Sequence, residues 1–323
     1  MSQRRFEFLI SCLRFDNKRN RIERTKLDKF AHIRAVFDKF IDNCKAAYSP
    51  SEYLTIDEKL ESFRGRCSFR QYMPNKRAKY GIKIHALVDA RSYYVVNMEP
   101  YVGQQPEDPF RVSNSPKDIV DRLVIPVSGT KRNITFDNWY TSYELMVHLR
   151  DVHKLTAVGT IRKNKPHIPP EFLNTRNREF NSSLFGFQKD YTLVSYYPKK
   201  GKVALLLSSL HHDNTVDINS ERIYHEVWSQ NGTNITKCGV DVVDEMSATY
   251  NVARQSRRWP LTVFFSLLNN AGINSQIIYR ENNDGLQMTR RLSLKELDFR
   301  EGPARPPLYP PLERNIGEDQ ANN

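Results

Sequence analysis

The chain has 323 residues, and 49 Lys and Arg against 37 Asp and Glu give a formal charge of +12. Hydrophobic residues at 39% and aromatics at 11% are enough for a buried core, and 17 Pro with 13 Gly exclude a collagen-like or low-complexity chain. The positive balance makes a polyanion, nucleic acid first, the partner to test.

The N-terminal run MSQRRFEFLIS holds no long apolar stretch of the signal-peptide kind. Phe6, Leu9, Ile10 and Leu13 recur at helical spacing, and so do Phe30, Ile33, Phe37, Ile41 and Cys44. A basic connector, DNKRNRIERTK, separates these two helical segments. From Tyr53 to about Val102 the pattern turns to strands in YLTID, KIHALVDA and YYVVNMEPYV, with Asp89 read as a hairpin-turn residue. A Pro-, Asp- and Asn-rich loop follows, then a buried strand NITFD, an amphipathic helix through Leu145, Val147 and Leu149, and a strand KLTAVGTI. Residues 163–227 read as an insert with strands YTLVSYY and KVALLLSSL. Beyond it lie a helical stretch from Asp241, the string SRRWP, a second helix from near Pro260, and a Pro-rich tail over 301–323. The apolar run LTVFFSLLNNAGINSQIIY is broken by Asn269, Asn270 and Asn274 and falls short of a membrane span, so no membrane partner is expected. Strands interleaved with helices predict a mixed α/β core flanked by helical segments from both ends. The four cysteines, Cys12, Cys44, Cys67 and Cys238, form no CxxC pair. They predict neither a zinc ribbon nor a disulfide framework, and point to a reducing compartment.

Four carboxylates carry the chemical reading. Asp57 ends YLTID and Asp137 ends NITFD, while Asp241 and Asp244 in GVDVVDEM share one helix face. The first three are separated by 80 and 104 residues, so only the fold can bring them together. Such a cluster suits Mg²⁺, a hard cation that takes oxygen ligands, and two such ions can serve phosphodiester cleavage with no covalent nucleophile on the protein. Read one at a time, aspartates placed like Asp57 and Asp137 are more often turn residues or helix caps than metal ligands, and Asp241 is equally an N-cap. Between Lys59 and Lys83 stand eight basic residues and one acid, Glu61. This run reads either as a phosphate track beside the first carboxylate or as a solvated face.

The strings TIDEKLESFRGRCSFRQYMPNKRAKYGIKI, RNITFDNWYTS, VGTIRKNK, GVDVVDEM and SRRWP, in this order, resemble the piggyBac family of DDE/D transposases. The resemblance runs from the first residues to about residue 285. It implies an RNase H-like catalytic core over 52–162 and 228–251, with a mostly-β domain inserted at 163–227. A helical dimerisation and DNA-binding domain is implied over 1–51 and 252–300. It also implies Asp57, Asp137 and Asp241 as the metal-binding triad, Asp244 as a further acidic position at the metals, and two Mg²⁺ ions that Mn²⁺ can replace. The implied activity is cut-and-paste transposition at TTAA sites: hydrolysis frees a 3′-hydroxyl, which forms a hairpin on the transposon end, and the reopened end attacks target DNA. The implied partners are double-stranded DNA and a second copy of the chain, and the implied place of action is the nucleus.

With the resemblance, DNA contact is assigned to Arg64, Arg66, Lys76 and Lys79 in the basic run. Arg162 and Lys165 match basic family positions associated with target DNA. Arg254, Arg257 and Arg258 precede Trp259, whose indole is read either as a stacking platform for an unpaired base or as a core aromatic. Cys238-Gly239 stands where the family tends to have two glycines. The family's longer N-terminal region and its C-terminal cysteine-rich zinc module have no counterpart in these strings, so the chain is expected to correspond to the middle of a longer transposase. The rival expectation is a domesticated derivative that binds DNA without transposing.

Overall fold

The computed structural model describes residues 1–105, 109–213 and 236–283. The Pro-rich tail, and the parts of the expected insert and helical domain beyond these limits, lie outside the described residues.

A nine-stranded sheet organises the molecule, in the order β2-β3-β1-β5-β6-β9-β8-β7, with β4 also paired to β3. Its centre is β1 (Tyr53–Ser62), β5 (Asn133–Phe136) and β6 (Thr156–Ile161), all parallel. On one side, β3 (Tyr80–Asp89) lies antiparallel to β1, and β4 (Val95–Pro100) antiparallel to β3. The two-residue strand β2 (Gln71–Tyr72) pairs with the start of β3. On the other side, β9 (Lys202–Ser208) pairs with β6, β8 (Tyr191–Lys199) with β9 and β7 (Ser182–Gln188) with β8, all antiparallel. The described strands of the expected insert, β7, β8 and β9, therefore extend the central sheet.

Helices cover this sheet. In α3 (Arg34–Ala47), Phe37, Ile41 and Cys44 are buried along one stripe, as their spacing predicts. Phe30 and Ile33, expected in the same helix, are buried in the turn before it. Short helices α4 (Pro116–Val124) and α5 (Tyr143–Asp151) start alike: Ser115 Oγ accepts from Asp118 N–H and Ser142 Oγ from Leu145 N–H. The long helix α7 (Trp259–Asn283) spends its asparagines on the sheet. Asn274 accepts from Val95 N–H at 2.9 Å and donates to Val95 C=O at 3.0 Å, satisfying backbone groups that β4 offers at the sheet edge. No helix among the described residues is long and apolar enough to cross a membrane.

The N-terminal segment packs against the long helix α7. Phe15 meets Phe264, Phe30 stacks on Trp259, and Tyr48 donates to Glu281 at 2.7 Å. The remaining helices at the start, α1 (Gln3–Cys12) and α2 (Arg21–Leu27), bury no side chain fully. Phe8, Leu9, Ile22 and Leu27 are exposed, and the face expected of the first helix is covered only in part, Phe6 by the Arg254 guanidinium.

Asp28 anchors this junction. Its carboxylate is buried and accepts from Arg34 in a fork at 2.9 and 3.1 Å, from Phe30 N–H at 2.9 Å and from Gln105 at 2.7 Å. Burial alone would raise its pKa, but the Arg34 guanidinium and the other donors outweigh it and hold the carboxyl below its ordinary 3.8. A folded-state pKa below the unfolded one gives stability that is complete above the unfolded value and is lost as pH falls through the folded value. Asp28→Asn is expected to cost about 3 kcal/mol at neutral pH, where it leaves Arg34 with only the exposed Asp38 carboxylate, 3.7 Å away, as counter-charge. The variant should also lose less stability than the parent on acidification below about pH 4. Urea unfolding across a pH series checks both.

Candidate active site

Register brings two of the expected carboxylates side by side. Parallel β1 and β5 align Ile56 with Phe136, and the next residue on each is an aspartate, Asp57 and Asp137. Asp57 does not end its strand, as the apolar run suggested. β1 continues to Ser62 on its antiparallel partner, with Asp57 opposite Ala86, and only the parallel pairing stops there. Asp137 follows β5 directly, and its Oδ1 lies 3.3 Å from Thr160 Oγ1 on β6 and 3.6 Å from Lys237 Nζ.

The third carboxylate arrives on α6 (Gly239–Thr249). Thr236, just before it, accepts from Thr55 Oγ1 through its carbonyl and pairs with Thr135 Oγ1 at 2.9 Å, which pins the helix start to β1 and β5. A Cβ at position 239 would come within 2.9 Å of Thr55 Oγ1, so the close approach requires Gly239, whereas Cys238 is exposed and a side chain is tolerated there. Asp241 then falls in the first turn and is largely exposed, and Asp244 lies one turn on.

Cations stand among these acids. Lys76 Nζ is 3.4 Å from Asp241 Oδ1. Burial would lower the Lys76 pKa, but Asp57, Asp241 and Asp244 together hold it above its ordinary value. Lys59 Nζ, fully buried, is 3.5 Å from Asp244 and 3.7 Å from Glu61. Burial first, then the adjacent Glu58 carboxylate, pushes Asp57 up to about 8. Burial likewise pushes Asp244 up to about 6, against the pull of Lys59. In both cases burial favours the neutral acid, and positive charge brought beside the carboxyl favours its ionised form. Among the described residues the three aspartates do not close to a common ligand distance. Asp121, His148 and His153 do, elsewhere in the molecule.

Residues 1–276 match a family model described as Transposase IS4. A piggyBac transposase, solved by cryo-EM and described as a synaptic complex with hairpin DNA, is 42% identical with a TM-score of 0.79, over 87% of this chain and 58% of its own. The chain belongs to the piggyBac family of transposases. The human PiggyBac transposable element-derived protein 3 is 23% identical over 335 residues, which cover 98% of this chain and 55% of that protein. The chain thus spans little more than half the length of these two piggyBac relatives.

In this piggyBac chain the expected basic residues divide by position. Arg64 and Arg66 are exposed on the excursion between β1 and β2, and Arg64 lies over the Tyr80 ring at 5.6 Å. A Cβ at Gly65 would meet Arg257 C=O at 2.8 Å, so this excursion packs directly on the Arg257 segment. Arg254 and Arg257 are exposed, with Arg254 over the Phe6 ring. Lys79 is exposed and left-handed at φ +56°. Arg162, after β6, donates to Asn138 at 3.1 Å, which sets it at the Asp137 end of the sheet, with half-buried Lys165 in the same turn.

Two of the expected DNA contacts, Arg258 and Trp259, bond or pack within the protein. Arg258 donates to Ser11 C=O at 3.2 Å and to Leu13 C=O, closing the end of α1. Trp259 is 9% exposed, stacked on Phe30 and His32 and edge-on to Phe69. Its faces are covered by Phe30 and His32, which favours the core-aromatic reading of the two left open by the sequence. Trp259→Ala should therefore cost about 3–5 kcal/mol of unfolding free energy, as for other buried aromatics. A base-stacking platform on the surface would instead leave stability almost unchanged in urea unfolding.

Sequence reasoning also missed residues behind the site. Tyr140 OH lies 2.6 Å from His85 Nδ1 and 3.4 Å from Glu58 Oε2. Burial pushes His85 down to about 3, so this ring is neutral. Lys83 lies 4.5 Å from the Trp139 ring centre and 3.9 Å from Glu58. Glu58, His85 and Tyr140 read in sequence as ordinary strand or loop residues; the β1–β3 register sets Glu58 opposite His85, and the turn after β5 brings Tyr140 to both.

Proposed function

We propose that this chain cuts and joins DNA strands at a centre built from Asp57, Asp137 and Asp241, with Asp244 beside it. The observation that carries this reading is the pair of aspartates that follow Ile56 and Phe136 on neighbouring parallel strands, faced by a helix pinned to the same two strands. The strand order β4-β3-β1-β5-β6, antiparallel then parallel, supports an RNase H-like core with the insert as its extension. The donor set consists of carboxylate oxygens, which suits Mg²⁺ or Mn²⁺. A pair of such ions, when bound, supplies charge stabilisation to the attacking and leaving oxygens of a phosphodiester.

The chain's own side chains supply the rest. Lys76 and Lys237 neutralise the carboxylates in the free protein and are placed to take a phosphate when the carboxylates turn to a metal. Arg64, Arg66, Arg162, Arg254 and Arg257 offer exposed guanidinium groups for the DNA backbone around this end of the sheet. We assign the DNA as transposon ends and TTAA target, with a hairpin intermediate, on the family likeness and on the complex described for the related structure. The exposed apolar residues of α1 and α2 support a homodimer through the helical ends. The nucleus is the compartment this activity requires.

A labelled duplex carrying a terminal repeat and TTAA, incubated with Mg²⁺ or EDTA, tests the reading. Nicking and a hairpin product that require the metal are expected. Salt-sensitive DNA binding without any cleavage would favour a domesticated DNA-binding protein, a reading prompted by the transposable element-derived human relative.

A further inference from the structure

A second cluster of ligand-type side chains lies away from the aspartates. Asp121 is in α4, His148 in the last turn of α5, and His153 just beyond the end of α5. His148 Nε2 lies 2.5 Å from Asp121 Oδ1, and His153 Nε2 lies 2.8 Å from the same oxygen. All three ligand atoms lie within 4.8 Å of one another. Both rings thus turn the same nitrogen toward one carboxylate. The other nitrogen of His153, Nδ1, lies 2.9 Å from Ser128 Oγ, and its backbone carbonyl accepts from Gly129 N–H. An outer hydrogen bond of this kind fixes the orientation of metal-binding histidines.

The cluster sits at the opposite end of the sheet from Asp137. β5 runs toward Asp137, α5 returns, and His153 lies just before β6 begins at Thr156. Exposure is graded across the group: the His153 side chain is 8% exposed, His148 23% and Asp121 40%. The site is therefore anchored on its inner side and open to water on the other.

We propose that Asp121, His148 and His153 form a second metal site, which takes one zinc-class divalent ion with water as the fourth ligand. Two imidazoles and one carboxylate match the three-ligand, open zinc arrangement, whereas Mg²⁺ prefers oxygen donors alone. Zinc bonds of about 2.0–2.1 Å place tetrahedral ligands roughly 3.3 Å apart, so the present contacts need to open by less than about 1 Å. The Asp121 side chain is the most exposed of the three and can make that shift. His153 binds through Nε2 when its proton is on Nδ1, where Ser128 Oγ can accept it. The bound ion would clamp α4 to the end of α5 under the sheet.

The test uses the full chain, stripped with a chelator and dialysed against Zn²⁺ or Mg²⁺, with metal content and melting temperature as readouts. The parent is expected to hold one more zinc than His148→Ala or His153→Gln. Its Tm should rise by roughly 5 °C at about 100-fold zinc over Kd. Mg²⁺ should produce neither effect at this site, and an Asp57→Asn/Asp137→Asn chain should keep both zinc effects. His148 is part-exposed on α5, so its truncation leaves a folded chain, which circular dichroism checks. Equal zinc content in the parent and both histidine variants would overturn the proposal, and so would a parent that takes up no zinc.

Discussion

Asp137→Asn is expected to lower Mg²⁺-dependent strand cleavage by roughly 10³-fold or more, about 4 kcal/mol of barrier, while melting temperature stays within about 2 °C of the parent. The size follows from position. Asp137 leaves β5 beside Asp57, at the point where the parallel pairing ends. In the free chain, among the described residues, its carboxylate meets a hydroxyl at 3.3 Å and a half-exposed ammonium at 3.6 Å. Removing one charge there forfeits little folding energy, because exposed ion pairs contribute at most about 1 kcal/mol. The same charge is one of few that can hold a hard cation against a phosphodiester. The measurement is single-turnover cleavage of a labelled duplex, paired with a thermal melt. A variant that cleaves at a tenth of the parent rate or faster would remove Asp137 from the centre.

Lys59→Ala should do the reverse, costing about 3–5 kcal/mol of stability in urea unfolding. In sequence Lys59 opens a basic run that invites a DNA-binding reading. In the fold it is 1% exposed and points from β1 toward α6 and α7. Its ammonium donates to Asn270 Oδ1 at 3.0 Å and faces Glu61 and Asp244. Truncation leaves two neighbouring carboxylates without their cation, strands a buried amide oxygen, and opens a void the length of the side chain. Asp244, already pushed up to about 6, is then driven further toward its protonated form. A phosphate-track lysine would behave differently: stability would change by less than about 0.5 kcal/mol, and the salt dependence of DNA binding would weaken by about one unit of slope. The two readings therefore separate on opposite observables.

How much of this was legible in sequence depended on whether the signal was local. Asp137 could be read because an apolar strand ends on it and a capped helix follows, both within a dozen residues. Asp57 is legible but not its place within the strand: beyond it β1 turns polar on both faces, Glu58 pairing with Lys83 on one and Lys59 with Glu61 and Asp244 on the other, and such polarity reads as the end of a strand. Helix α4 was missed because it follows a Pro- and Asn-rich loop and shows only two turns of pattern. Strand β7 was missed because it lies at the sheet edge with every side chain at least partly exposed. Asn270 and Asn274 broke the apolar run correctly, but their bonds to Lys59 and Val95 depend on contacts more than 170 residues apart. Trp259 carries two open readings in sequence, and its packing against Phe30 and Phe69 favours the core. The Asp121, His148 and His153 group left no trace, because the helix ends between the two histidines and no fixed spacing results.

The central claim is that Asp57, Asp137 and Asp241 together hold the cations at which DNA is cut. Its most direct test is anomalous diffraction from crystals of this chain soaked in Mn²⁺. The account predicts an anomalous peak at the carboxylate oxygens of Asp57 and Asp137, with Lys76 no longer against Asp241. A map with manganese bound elsewhere and none at these aspartates would contradict it.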